Sequence, residues 1–148
     1  MKINELRELE KTGKYLFHGS SEYINSVFVP RQAYNDKAGK RLNDDKPGVH
    51  STPILDIAIF MATVTRKNAP DNFHSRFHTE GDEIKLSFNR DTSEQINDDS
   101  SGYVYIFNID DFKKRSDAQY ISYNEVESSN VVEVKFSDIS IPVDVFED

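Results

Sequence analysis

The chain has no cysteine, which excludes a disulfide framework and any thiolate metal site. No apolar run approaches the roughly 18 residues that a membrane-spanning helix needs. The first residues, Met1-Lys2-Ile3-Asn4-Glu5-Leu6, are charged and lack the apolar centre of a signal peptide. The expectation is a soluble, cytoplasmic protein. Positive charge is also scarce: 18 Lys and Arg stand against 26 Asp and Glu, a formal net charge of −8. A surface of that sign repels phosphate backbones and argues against generic duplex DNA binding. The same sign suits an acidic interaction module that covers a basic partner.

What is present is enough for one core. The 148 residues are 36% hydrophobic, with ten Phe and seven Tyr, and neither a repeat nor a break in composition divides them. One domain over residues 1–148 is expected.

Residues 3–11 place Ile3, Leu6 and Leu9 at helical spacing, with Gly13 as the stop. The stretch Lys14-Tyr15-Leu16-Phe17-His18-Gly19-Ser20 follows, and the rest is organised around it. Its aromatic and apolar run predicts a buried strand over residues 14–18. The His-Gly-Ser triplet at the strand's end is expected to face a cleft, and Gly19 has no Cβ to hold a ligand away. After Val27-Phe28-Val29 and Pro30, residues 31–47 are polar. They read as a long loop carrying a local cationic group of Arg31, Lys37, Lys40 and Arg41. Val49–Ser51 predicts a short strand that feeds a helix over residues 54–64. Thr52 suits its N-cap and Pro53 its first position. That helix is apolar nearly all round, with Asp56 its one charge, and so predicts burial on most sides.

Residues 66–81 are polar and predict an irregular segment. His74 and His78 lie four apart, a spacing that on a helix sets two metal ligands on one face. No third ligand stands nearby and Phe73 and Phe77 flank the pair, so ordinary packing is expected and no metal site. Strands are predicted over residues 83–88, 102–107, 119–123, 131–136 and 139–145, with Pro142 marking the last as an edge or bulged strand. Residues 89–101 predict a loop, and residues 110–115 a helical turn. The fold class is α+β: six or seven strands in an antiparallel or mixed sheet, one central buried helix and a short N-terminal helix.

Three separated pieces together resemble the NAD-binding core of the ADP-ribosyltransferase superfamily, in its His-Tyr-Glu branch of diphtheria toxin and the poly(ADP-ribose) polymerase catalytic domains. Phe17-His18-Gly19-Ser20 is similar to that branch's strand-end His-Gly-Ser/Thr. Gly48-Val49-His50-Ser51-Thr52 and the helix after it resemble the Gly-x-Tyr strand and its helix. Gln119-Tyr120-Ile121-Ser122-Tyr123 is placed like the strand that begins with the branch's glutamate. Small bacterial and phage-type members have a similar size and layout.

The resemblance implies a split sheet with a central helix, and NAD as substrate. His18 would hold a ribose hydroxyl and Gly19 the nicotinamide amide, with Ser20 and Ser51 beside them. Phe60, ten residues after His50, would stack on the nicotinamide ring, and Arg31 would reach the ADP portion. Catalytic roles would fall to His18, His50 and Gln119. Two positions depart from the branch. His50 stands for its stacking tyrosine, keeping a flat ring and adding a titratable nitrogen. Gln119 stands for its glutamate, keeping a hydrogen bond and losing a charge. Loss of one preorganised electrostatic partner costs about 10²–10³ in rate. Glu125, six residues on, would lie roughly 20 Å along a strand, too far to replace it; Asp117 lies two positions upstream. The expected activity is mono-ADP-ribosyl transfer to a protein or nucleic-acid acceptor. The alternatives are a silent NAD or ADP-ribose binder and the acidic interaction module.

Overall fold

A computed structural model describes the chain except Asn25 and residues 32–33, 38–39 and 44–46; for residues 34–37 and 40–43 it describes the backbone alone. The N-terminal half runs α1 (Ile3–Thr12), β1 (Tyr15–Ser20), β2 (Val27–Phe28), β3 (Tyr34–Lys37), β4 (Lys40–Asn43), β5 (Val49–Ser51) and α2 (Leu55–Thr63). It continues through β6 (Ser75–Glu80), β7 (Glu83–Asn89), α3 (Arg90–Gln95), β8 (Ser101–Asn108) and β9 (Lys113–Lys114). The chain closes with β10 (Tyr120–Ser122), β11 (Val126–Glu127), β12 (Asn130–Lys135) and β13 (Val143–Phe146). The class is α+β.

Two antiparallel three-stranded sheets, β1-β8-β12 and β5-β10-β9, meet at the junction of β1 and β5. One backbone bridge joins them. Phe17 N–H donates to Thr52 O at 2.7 Å, and Thr52 N–H to Phe17 O at 2.9 Å. Two residues further Gly19 would face His50 in antiparallel register, but no bridge forms there among the described residues. The sheet is split at that point.

Helix α2 lies across this junction because its composition leaves it no polar face. Eight of its nine residues are buried, Met61 being the exception. Leu55, Ala58, Ile59 and Ala62 pack with Leu6, Phe17, Val104 and Ile106, while Ile57 and Phe60 pack with Leu86, Phe88 and Ile96. Each such large side chain contributes roughly 1.5–3 kcal/mol when fully buried. Two glycines set how closely the helix sits. A Cβ on Gly19 of β1 would stand 2.0 Å from Ala58 O, and one on Gly102 of β8 would stand 2.0 Å from Ala62 O. The helix backbone occupies the space that side chains would take.

The start of α2 differs from the expectation. The N-cap is Ile54, and Thr52 Oγ1 accepts from Ile54 N–H at 3.1 Å. The first free amide of the helix, Leu55 N–H, donates to Glu10 Oε2 of α1 at 2.6 Å. A carboxylate at a helix N-terminus is favourable both as acceptor and against the helix dipole. Asp56, buried in α2, binds Arg7 Nη2 at 2.7 Å and accepts from Ser140 N–H at 2.9 Å and Ser140 Oγ at 2.6 Å. Both chain ends are thereby tied to the central helix.

Several expected segments take other forms. Strand β1 continues through Ser20, so His18 lies inside it rather than at its end. Part of the polar 31–47 segment forms the β3–β4 hairpin, with Tyr34 opposite Asn43; the side chains of Lys37, Lys40 and Arg41 lie outside the described residues. Residues 75–80, expected to be irregular, form β6, held by antiparallel pairing to β7. His78 therefore sits on a strand and His74 before it, so they share no helical face. The 89–101 loop contains α3, whose N-cap Asn89 accepts from Thr92 N–H. The turn near residue 110 is a 3-10 turn over Ile109–Asp111 that runs into β9. The last strand starts only at Val143 and pairs in parallel with β7; on the outer side of that sheet, it tolerates Pro142 just before it. The strands are also shorter and more numerous than the six or seven expected.

Candidate functional site

The split between β1 and β5 opens a cleft of two lobes that share His18 and His50. One lobe, about 420 Å³, is lined by His18, Gly19, His50, Ser51, Met61 and Gln119, with Ile57, Ala58, Phe77 and Ala118 completing its apolar wall. The other, about 330 Å³, is lined by His18, Ser20, Phe28, Val29, Arg31 and His50, among others. Most of the residues singled out in sequence thus border one cleft, although they come from β1, β5, the turn before β10 and the bridge residue after β2.

His18 is the partition between the lobes. Its Nδ1 lies 2.6 Å from His50 O. A carbonyl oxygen only accepts, so Nδ1 carries the hydrogen. Burial, the largest influence, lowers the His18 pKa from its usual 6.5; the bond to the His50 carbonyl opposes this, and the neighbouring His50 and Arg31 lower it further. At neutral pH the ring is therefore uncharged, with Nε2 an acceptor. Its ring packs edge-on against Phe28, with centroids 5.0 Å apart, and against Tyr105 at 6.5 Å. These contacts hold the imidazole plane.

Tyr105 also shapes the second lobe. Its side chain is fully buried in β8. Its hydroxyl accepts from Ile24 N–H and donates to Ile24 O at 3.1 Å, with Glu22 O at 3.4 Å. The segment over that lobe is pinned from beneath, and burial raises the phenol pKa. Arg31 enters the same lobe by backbone pairing, its N–H donating to Gly48 O at 3.1 Å and Gly48 N–H returning to Arg31 O at 2.9 Å.

Ser51 lies in the first lobe's wall, 7% exposed, and its Oγ has no hydrogen-bond partner among the described residues. A buried hydroxyl left unpaired costs about 1–3 kcal/mol, which a polar ligand group at this wall would relieve. Gln119 sits just before β10 in a tight turn, its O accepting from Arg115 N–H at 2.8 Å and from Ser116 N–H at 3.0 Å. The turn presents an exposed amide at the lobe. Among the described residues no Asp or Glu lines either lobe. Asp117 stands in the same turn rather than on a strand, and its carboxylate pairs with Lys114 Nζ at 2.9 Å. Glu125 is exposed beyond the end of β10 and lines neither lobe.

Two expected features come out differently. Phe60 is 1% exposed, packed among Leu86, Phe88 and Ile96, and lines neither lobe. The side chains that α2 offers to the cleft are Ile57, Ala58 and the half-exposed Met61. Gly19 borders the first lobe, but what its missing Cβ admits is the backbone of α2 rather than a ligand. Nothing local in the sequence marks Phe77 or Tyr105 as part of a site. Phe77 sits on a segment that reads as irregular, and Tyr105 in an apolar run that reads as core. Among the described residues no group of three or more His, Cys, Asp or Glu could hold a metal ion, and no helix is long and apolar enough to cross a membrane. Compared with protein-family models, with curated proteins and with solved structures, the chain matches none.

Proposed function

We propose that this chain is an ADP-ribosyltransferase-like domain that binds NAD along the split sheet and transfers ADP-ribose to a macromolecular acceptor. The observation that supports the reading best is the convergence on one cleft. His18 and Gly19, His50 and Ser51, and Gln119 come from three pieces far apart in sequence and border a single lobe. Nicotinamide, a flat pyridinium in NAD and neutral once it leaves, suits that lobe, where none of the described lining residues carries a fixed charge that would repel it. The ADP portion suits the other, where Arg31 offers a guanidinium to a diphosphate.

In this reading His18 Nε2 accepts a hydrogen bond from a ribose hydroxyl, and the Nδ1 bond to His50 fixes the ring's tautomer. The bond between ribose and nicotinamide breaks with both electrons leaving on nicotinamide. The acceptor's nucleophile then adds to the opposite face of the cationic sugar. Gln119 holds a ribose hydroxyl but adds no charge, so transfer is slow, by about 10²–10³ relative to a carboxylate at that place.

A second reading, binding without turnover, is favoured by Gln119 at the lobe, where the described residues supply no carboxylate. One experiment separates the two: thermal shift with NAD run beside nicotinamide release, on the wild type and on His18→Ala. Shift and release, both lost in the variant, support the transferase. Shift without release supports the silent binder. No shift at millimolar NAD sinks both and favours the acidic interaction module.

A further inference from the structure

Helix α2 turns a single side chain away from the core. Ile57 and Met61, four positions apart, lie on one face of the helix and line the first lobe, with Ala58 bordering it as well. Phe60, one position back from Met61, is rotated by about 100° into the core. Met61 is left 48% exposed at the mouth of a lobe whose other walls include Phe77, His50 and the Gly19 backbone. An apolar side chain half-covered at the rim of a cavity is one that a ligand would finish burying.

Resting on the reading of this lobe as a ring site, we propose that Met61 is its ring-contacting wall: its thioether lies against the face of a flat heteroaromatic amide, nicotinamide itself or the pyridinium of NAD. Sulfur and methyl contacts with aromatic rings are favourable. The unbranched side chain has no plane of its own, so the wall conforms to rings of differing width rather than selecting one. It is also open to chemistry. The chain holds two methionines, Met1 and Met61, and no cysteine, so Met61 is the one internal sulfur that peroxide can oxidise. In that step one peroxide oxygen passes to the sulfur and water leaves, giving a polar sulfoxide in place of the apolar thioether.

The test is a titration of the full chain with nicotinamide and with NAD, followed by thermal shift and by heat of binding. It uses the wild type, Met61→Ala and Met61→Leu, each before and after peroxide treatment. Met61→Ala is expected to weaken nicotinamide binding about tenfold through lost apolar contact, and Met61→Leu to stay within about threefold of the wild type. Peroxide should weaken binding in the wild type and leave Met61→Leu unaltered, which separates Met61 from Met1. Because the residue is half exposed, all forms should melt cooperatively without ligand. Wild-type binding that Met61→Ala and peroxide both leave unchanged overturns this inference alone. A wild type that binds neither nicotinamide nor NAD overturns it together with the reading on which it rests.

Discussion

The imidazole of His18 donates from Nδ1 to the main-chain carbonyl of His50 at 2.6 Å, across the place where the β1 and β5 backbones stop pairing. A side chain thus replaces a ladder bond, and the gap it spans is the cleft. The same bond fixes Nε2 as the free acceptor, so geometry and tautomer have one origin.

That arrangement predicts a pH dependence. The pKa of His18 is lowered below 6.5 by burial, so as pH falls the unfolded chain takes up this proton before the folded one. Between the folded pKa and 6.5 the unfolded state holds more protons, so stability rises with pH through the window and is lost as pH falls through it. The melting temperature should therefore drop more between about pH 7.5 and about pH 5 in the wild type than in His18→Gln. Nucleotide affinity should fall over the same range, since the imidazolium Nε2 donates rather than accepts. Parallel thermal-melt profiles of the two proteins check both; equal slopes would remove His18 as their source.

Gln119 offers a gain-of-function test. In Gln119→Glu a carboxylate returns to the lobe with little change in size. Nicotinamide release from NAD is expected to rise by about 10²-fold, with binding nearly unchanged. The measurement is initial-rate release at saturating NAD. A rate that stays flat would detach Gln119 from the ribose.

The seating of α2 depends on two glycines that carry no chemistry. Gly102→Ala brings a Cβ to 2.0 Å from Ala62 O and 2.5 Å from Ala62 C, and these backbone atoms cannot swing aside. A loss of about 3 kcal/mol or more is expected, and urea unfolding monitored by circular dichroism would register it. Gly19→Ala should behave alike, with Ala58 O at 2.0 Å and Ala62 N at 2.8 Å.

Asp56 holds the two chain ends to α2. Asp56→Ala removes the close carboxylate partner of Arg7, whose guanidinium keeps Asp138 O at 2.8 Å and Glu10 at 3.8 Å, and removes the acceptor for both Ser140 groups. Removing one partner of a largely buried pair costs about 3–5 kcal/mol; with Arg7 still 23% exposed, the lower end is expected. Denaturant unfolding gives the size. Arg7→Ala together with Asp56→Ala should cost less than the sum of the singles, because the pair is coupled.

What the sequence determined by itself is what local pattern encodes. The 3.6-residue spacing of Ile3, Leu6 and Leu9 before Gly13, which takes φ 69°, marks α1 without reference to anything distant. The apolar run after Pro53 marks α2 as buried, the runs at β1 and β8 mark buried strands, and the alternation of Val132 and Val134 with exposed Glu133 and Lys135 marks β12 as half-buried. Tertiary structure decided the rest. The segment Ser75–Glu80 is polar on most of its length and becomes a strand only because β7 lies ready to pair with it. The turn that sets Gln119 at the lobe, the carboxylate of Glu10 at the head of α2, and the choice of Met61 over Phe60 all depend on how elements far apart in sequence come together. A one-residue difference on a helix is a 100° rotation, and only the packing of α2 against the sheets says which side chain that rotation delivers to the cleft.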